Sequence, residues 1–233
     1  MELKAIDELL KDELLQTFQE HLSAIIRYGE LKLESKEVRY CEYLIIFYNL
    51  NTNILNNLQP LITKFNPLGA RMRIRSHEEF RSSADIFPDF YLELKQNHEI
   101  IFGKNELKSI QVDDENLRLS LEFQIRQLAI QFRRAYLRSK GEEKKYRLLL
   151  KKGFNELLYI IKYLMVLEGK LKDLSIQKSE IINLAVKEYQ LNHKILSEIE
   201  AGPRNKNVDL SSRLADLLLL IHEVEAFTDK LRV

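Results

Sequence analysis

The sequence is poor in residues on which several classes of protein depend. Its 233 residues include a single cysteine, Cys41, so an internal disulfide framework and a cysteine-based zinc site are excluded. Tryptophan is absent, and only four prolines and seven glycines interrupt the chain. A lone thiol fits a reducing compartment, so we expect a cytoplasmic protein. With 45% hydrophobic residues, the chain has enough apolar material for one large or two small cores.

Long apolar runs and an excess of charge are also missing. The most apolar stretches, residues 157–167 and 214–221, are interrupted by charge or shorter than the roughly 20 residues of a membrane span. Acidic residues stand among the first eight, where a signal peptide would be apolar. The 36 basic and 35 acidic residues nearly cancel, so any attraction to nucleic acid or membrane must be local. We expect no membrane association, no export and no strong nucleic-acid binding.

The first part of the chain mixes helix and strand patterns. The alternation of residues 71–75 places Met72 and Ile74 on one strand face and three arginines on the other. Ser76 with Glu79 three residues later is typical of a capping box that starts a helix. In chain order, the predicted elements are a helix over residues 2–20, a strand over 24–26 that ends in a turn at Tyr28-Gly29, a strand over 44–48, a helix over 51–65, and strands over 71–75 and 99–102.

The second part reads as helices joined by short connections. Helical spacing of apolar residues predicts a long helix from Asp113 or Asp114 to about Arg138, ended by Gly141. Further helices are predicted over residues 143–168, 179–189, from 192 onward and over 210–230. We therefore predict an α+β protein, with a small mixed-sheet domain over residues 1–108 and an antiparallel helical bundle over residues 109–233.

The segment around Gly29 carries a family resemblance. Tyr28-Gly29-Glu30, a polar connection of about ten residues and the strand beginning Cys41-Glu42-Tyr43 resemble the nucleotidyltransferase superfamily that includes DNA polymerase beta and kanamycin nucleotidyltransferase. In that family the turn is Gly-Ser and the second strand begins Asp-x-Asp. Residues 75–80, 85–94 and 100–103 look like the end of such a domain, and residues 116–122 and 128–137 look like the start of a helical second domain. The resemblance implies this two-domain fold.

The same resemblance implies that the metal-binding motif is degenerate. Gly29 is retained, but Glu30 stands at the serine position, while Cys41 and Tyr43 stand at the two carboxylate positions. A thiol and a phenol are poor ligands for Mg²⁺, which prefers charged oxygen. Glu42 cannot replace them, because strand alternation points it to the opposite face. We expect no metal, no cofactor and no catalytic residues.

Three arginines form the candidate binding surface. Arg71, Arg73 and Arg75 can hold phosphate bidentately without a metal, which predicts a weak nucleotide or phosphate ligand. The plainer interpretation of these residues is a solvated strand face.

Three hypotheses about function remain open. The first is a non-catalytic nucleotidyltransferase-like protein that acts as a nucleotide-binding, phosphate-binding or protein-interaction module. The second is a divergent Mg²⁺-dependent nucleotidyltransferase with ligands taken from Glu30, Glu42 or Asp85. The third is a partner-binding module of a two-component system of the toxin–antitoxin kind.

Independently, Leu219 and Leu220 widen the apolar surface of the last helix, which predicts a homodimer through the helical domain.

Overall fold

The computed structural model describes residues 3–32, 39–205 and 207–231. Over these residues the chain is an α+β protein with a four-stranded mixed sheet and a C-terminal helical region, as predicted. It divides into two compact units, Met1–Val112 and Asp113–Val233. Within the described residues, no helix has both the length and the apolar character needed to cross a bilayer.

The first unit is built on a sheet with strand order β3-β2-β1-β4. Strand β1 is antiparallel to both of its neighbours, whereas β2 and β3 are parallel. The helix between β2 and β3 provides the crossover that a parallel pair requires. The strands are β1 (Leu22–Lys32), β2 (Arg39–Phe47), β3 (Ala70–Ser76) and β4 (His98–Gly103), and the helices are α1 (Leu3–Phe18), α2 (Thr52–Phe65), α3 (His77–Ser82) and α4 (Pro88–Gln96).

Both faces of this sheet are covered by apolar side chains. Helices α1 and α2 pack on one face, which we call the α1–α2 face, in a core that includes Leu10, Leu14, Ile25, Ile45 and Phe47. Helices α3 and α4 pack on the other, the α3–α4 face, in a core that includes Ile26, Leu44, Ile46, Phe80 and Tyr91. Alternation along β2 therefore sends successive side chains into two different cores.

Two predicted helix starts are confirmed in detail. The side chain of Asn51 accepts a hydrogen bond from the backbone N–H of Ile54 at 3.0 Å, which caps α2. Ser76 and Glu79 form the reciprocal capping box at the start of α3. Much of the predicted polar connection between β1 and β2, residues 33–38, lies outside the described residues.

The regular secondary structure of the second unit is helical wherever the structure describes it. Helix α5 starts after Asp113, whose side chain accepts hydrogen bonds from the N–H groups of Glu115 and Asn116. The core of the second unit is formed where three of the helices pack together. Its buried side chains include Leu121, Ile125, Phe154, Leu217 and Ile221. The helices are α5 (Asp114–Ser139), α6 (Glu143–Leu167), α7 (Lys178–Tyr189), α8 (His193–Ala201) and α9 (Leu210–Thr228), and the packed three are α5, α6 and α9.

Candidate functional site

Gly29 does not lie in the turn that the sequence predicted. Strand β1 continues through it to Lys32, and the register with β2 shifts between Tyr28 and Glu30, which marks a β-bulge. The φ angle of Gly29 is +61°, a left-handed conformation that suits glycine at a bulge. The turn prediction was wrong because a bulge glycine and a turn glycine have the same local signature. The side chain of Glu30 lies outside the described residues.

Cys41 and Tyr43 are buried on the α1–α2 face. Their exposed fractions are 2% and 0%, so both side chains belong to the core beneath the two helices. The hydroxyl of Tyr43 donates a hydrogen bond to Oδ1 of Asp7 at 2.8 Å. Burial and this hydrogen bond raise the pKa of Tyr43, so the phenol stays neutral. These two predicted motif residues are therefore side chains of the apolar core.

A partly buried ionic network includes Tyr43. Asp7, which is 4% exposed, forms an ion pair with Arg27, and Arg27 also pairs with Glu99. Burial lowers the pKa of Arg27, but the carboxylates of Asp7 and Glu99 more than offset this, and its pKa is raised overall. The network joins α1, β2, β1 and β4, so it fixes the helix over the sheet. The sequence pattern gave no indication of it, because its members are far apart in the chain.

Arg71, Arg73 and Arg75 lie on the opposite side of the sheet from Cys41 and Tyr43. In the parallel register, Arg71 aligns with Glu42 and Arg73 aligns with Leu44, and both of these point to the α3–α4 face. Nε of Arg73 donates to Oε2 of Glu42 at 3.2 Å. The structure thus separates the predicted site residues into two groups.

Gly29 lies near Glu42, on the side of the sheet that carries the arginines. A Cβ atom built on Gly29 would lie 4.0 Å from Cγ of Glu42, the residue that pairs with Arg73. Glu42 therefore connects the glycine to the arginine side of the sheet.

Aromatic rings lie beside two of the three guanidinium groups. The guanidinium carbon of Arg73 is 5.7 Å from the ring centroid of Phe90, and that of Arg75 is 5.8 Å from the ring centroid of Phe87. Both distances suit cation–π contact. We call Arg71, Arg73, Arg75, Phe87 and Phe90 together the arginine face. The two phenylalanines were not among the predicted site residues, because nothing in the sequence places α4 against β3.

Tyr28 extends the aromatic part of this surface. Its ring is edge-on to Phe90, with centroids 5.6 Å apart. Its hydroxyl is buried and has no hydrogen-bond partner among the described residues. Burial raises the pKa of Tyr28, while the positive charges of Arg73 and Arg75 act in the opposite direction. A neutral phenol thus lies within the electrostatic reach of both arginines.

A polar cavity of about 250 Å³ lies beside Gly29. Its lining includes Gly29, Cys41, Arg27, Asn97 and His98, so it brings two of the predicted site residues together. Arg27, its cation, is already bound to two carboxylates. In the part of the chain that the structure describes, no group of three or more His, Cys, Asp or Glu residues has the arrangement of a metal site.

The chain matches no protein-family model and no curated protein.

Proposed function

We propose that this chain is a non-catalytic, nucleotidyltransferase-like protein whose N-terminal unit binds a phosphate-bearing ligand at the arginine face. The observation that carries the proposal is the common orientation of Arg71, Arg73 and Arg75 on one face of β3. Arg71 and Arg73 are exposed and Arg75 is half-buried, so a ligand can reach all three. Guanidinium groups bind phosphate bidentately and need no metal to do so.

The adjacent aromatic rings favour a nucleotide over inorganic phosphate. Phe87 is 46% exposed and lies against Arg75, so its ring can stack on a base while the arginines contact the phosphates. Stacking of a base on an aromatic side chain contributes about 1–3 kcal/mol. Glu42 opposes the ligand, because its carboxylate lies within the same group of side chains.

Titration calorimetry with ATP, with and without Mg²⁺, distinguishes the proposal from its two alternatives. Binding that is independent of the metal supports a metal-free anion site. Binding that requires Mg²⁺, together with nucleotidyl transfer that a chelator abolishes, supports a divergent enzyme. Absence of binding under both conditions supports a partner-binding module of a two-component system.

Replacing Arg73 with alanine should weaken ATP binding at least several-fold. A charge-assisted hydrogen bond contributes on the order of 1.5–3 kcal/mol, and exposure to solvent reduces this. The side chain of Arg73 is 54% exposed, so the Arg73→Ala variant should have nearly the same thermal stability as the parent protein. Calorimetry measures the affinity, and circular dichroism measures the melting temperature.

Two further variants test the location of this site. Lys4→Ala removes one exposed positive charge from α1, on the opposite face of the sheet, and should leave ATP affinity unchanged. Glu42→Gln removes the opposing carboxylate and should strengthen binding, more clearly at low salt. The arginine-face proposal fails if Arg73→Ala and Lys4→Ala weaken binding equally, or if Glu42→Gln has the same effect as Arg73→Ala.

We also propose that the protein forms a homodimer through its helical region. Helix α9 buries most of its leucines, including Leu220, which the sequence analysis had assigned to the widened apolar surface. Leu219 remains 63% exposed, and Leu137 of α5 is 75% exposed. An apolar cavity of about 370 Å³ lies between these two helices and is lined in part by Phe132, Leu137 and Leu218. In a two-fold dimer, an exposed leucine of each copy can occupy the cavity of the other.

The homodimer predicts a mass of about twice 27.6 kDa in light scattering at micromolar concentration. Leu137→Asp should shift the protein to a monomer, because it places a charge in the apolar contact. Leu55→Asp, a change at a leucine of α2 that is 43% exposed, should leave the dimer intact. A parent protein that scatters as a monomer would rule out the proposal.

A further inference from the structure

The positive charge of this chain is concentrated on one helical hairpin. Residues 133–152 contain nine lysines or arginines and two glutamates, although the whole chain has a net charge of only +1. This segment comprises the last turns of α5, the connection at Lys140 and Gly141, and the first turns of α6. The hairpin is therefore strongly basic, although the positive and negative charges of the whole chain nearly cancel.

The two glutamates of the hairpin are already paired with neighbouring cations. Glu142 binds Lys145 at 2.6 Å, and Glu143 binds Arg147 at 2.6 Å. Arg147 has a structural role as well, because it donates to the backbone carbonyl oxygens of Gly202 and Asn205. Both glutamates of the hairpin are therefore neutralised by cations of the same hairpin.

Seven other cations of the hairpin have no ion-pair partner among the described residues. All seven are exposed. They are Arg133, Arg134, Arg138, Lys140, Lys144, Lys151 and Lys152. A surface with this many uncompensated like charges repels itself and attracts a polyanion.

Four cations of the hairpin line a groove between the two helices, and three of them, Arg134, Arg138 and Lys152, belong to the seven without an ion-pair partner in the described part of the chain. Its volume is about 580 Å³, with Arg134 and Arg138 on the α5 side and Lys145 and Lys152 on the α6 side. From the helical rise, the two arginines are about 6 Å apart along their axis and the two lysines about 10 Å apart. An anion in the groove therefore meets positive charge from both helices and over about two helical turns.

We propose that this basic groove binds the sugar-phosphate backbone of single-stranded nucleic acid without reading its sequence. A strand supplies a charge at every nucleotide, so one chain can follow the groove and contact both helices at once, which isolated phosphate cannot do. The groove is concave, whereas binding to a lipid surface requires a continuous apolar face flanked by cations. It lies in the second unit, so it is independent of the arginine face.

The binding is tested by fluorescence anisotropy with labelled oligo(U) and oligo(dT), using the full chain. Three unpaired groove cations that neutralise phosphates predict a log–log salt slope of about −2, so raising salt from about 50 to 200 mM should weaken binding about 20-fold. Equal binding of both probes assigns the contact to the phosphate backbone. Preference for oligo(U) assigns it to RNA.

A triple variant and a matched control locate the contact. Arg134→Ala with Arg138→Ala and Lys152→Ala should weaken binding at least tenfold and reduce the salt slope by about 2 units. Lys187→Ala with Lys194→Ala and Lys230→Ala removes the same charge from exposed positions of the same unit, outside the hairpin. That control should keep the parent slope and most of the affinity, and Arg73→Ala should not affect oligonucleotide binding at all.

Several results would overturn the proposal. One is equal loss of binding in the two triple variants, which would show that total charge alone matters. Others are tighter binding to phosphatidylserine vesicles or to poly-glutamate than to either oligonucleotide. Circular dichroism shows whether the groove variant retains the parent melting temperature. If the triple groove variant melts at a lower temperature than the parent, the single variant Arg134→Ala replaces it. That variant should still reduce the salt slope of oligonucleotide binding by about 0.7.

Discussion

Replacing Asp7 with alanine is expected to lower the free energy of unfolding of the N-terminal unit by about 2–4 kcal/mol. The substitution leaves the hydroxyl of Tyr43 buried without its acceptor, and it removes one of the two carboxylates that neutralise Arg27. Arg27 keeps its pair with Glu99, so the loss comes from the unsatisfied hydroxyl of Tyr43 together with the weakened neutralisation of Arg27. Urea unfolding followed by circular dichroism measures it.

The neighbouring residue provides the control for this change. Glu8→Ala breaks an ion pair with Lys11 in the same helix, but Glu8 is 66% exposed, so stability should hardly change. Asp7→Asn keeps an acceptor for Tyr43 and should fall between the two. If Asp7→Ala and Glu8→Ala have equal effects, the network does not stabilise the contact between α1 and the sheet.

Replacing Gly103 with alanine is expected to destabilise the same unit by about 2–5 kcal/mol. Gly103 ends β4 with a φ angle of +86°, and a Cβ atom there would lie 2.3 Å from the carbonyl oxygen of Ser23. A left-handed conformation costs a residue other than glycine about 1–2 kcal/mol. The clash adds about 1–3 kcal/mol, because the backbone of β1 must move to relieve it.

Gly29→Ala separates these two contributions. Gly29 also has a positive φ, +61°, but its built Cβ meets nothing closer than 4.0 Å. Its substitution should cost only the conformational part, about 1–2 kcal/mol. Equal destabilisation by the two substitutions would contradict the importance of the contact between Gly103 and β1.

Local patterns in the sequence predicted the elements of this fold well. The alternation of residues 71–75 identified β3, and Ser76 with Glu79 identified the start of α3, because each signal lies within a few neighbouring residues. Helix α4 was not predicted from its pattern, and Gly29 was assigned to a turn instead of a bulge. Both depend on what packs against the segment, which periodicity does not contain.

The candidate site was predictable only in part for the same reason. Alternation placed the three arginines together and placed Glu42 opposite Cys41 and Tyr43. It could not show whether the arginines share a face with Glu42 or with Tyr43, because a one-residue shift in the register between β2 and β3 exchanges the two. The register of Glu42 with Arg71 decides this, and it is a property of the assembled sheet.

The position of β3 at the end of the strand order has a consequence for solubility. An edge strand offers its unpaired backbone groups to other chains, and proteins limit this by placing charged side chains along the edge. Arg71, Arg73 and Arg75 occupy every second position of β3, where they would repel the same strand of a second molecule. Removal of all three would leave Met72 and Ile74 in an uncharged strand with high β-propensity, a composition that favours intermolecular sheet formation. The arginines thus oppose aggregation through this sheet edge whether or not a ligand is bound.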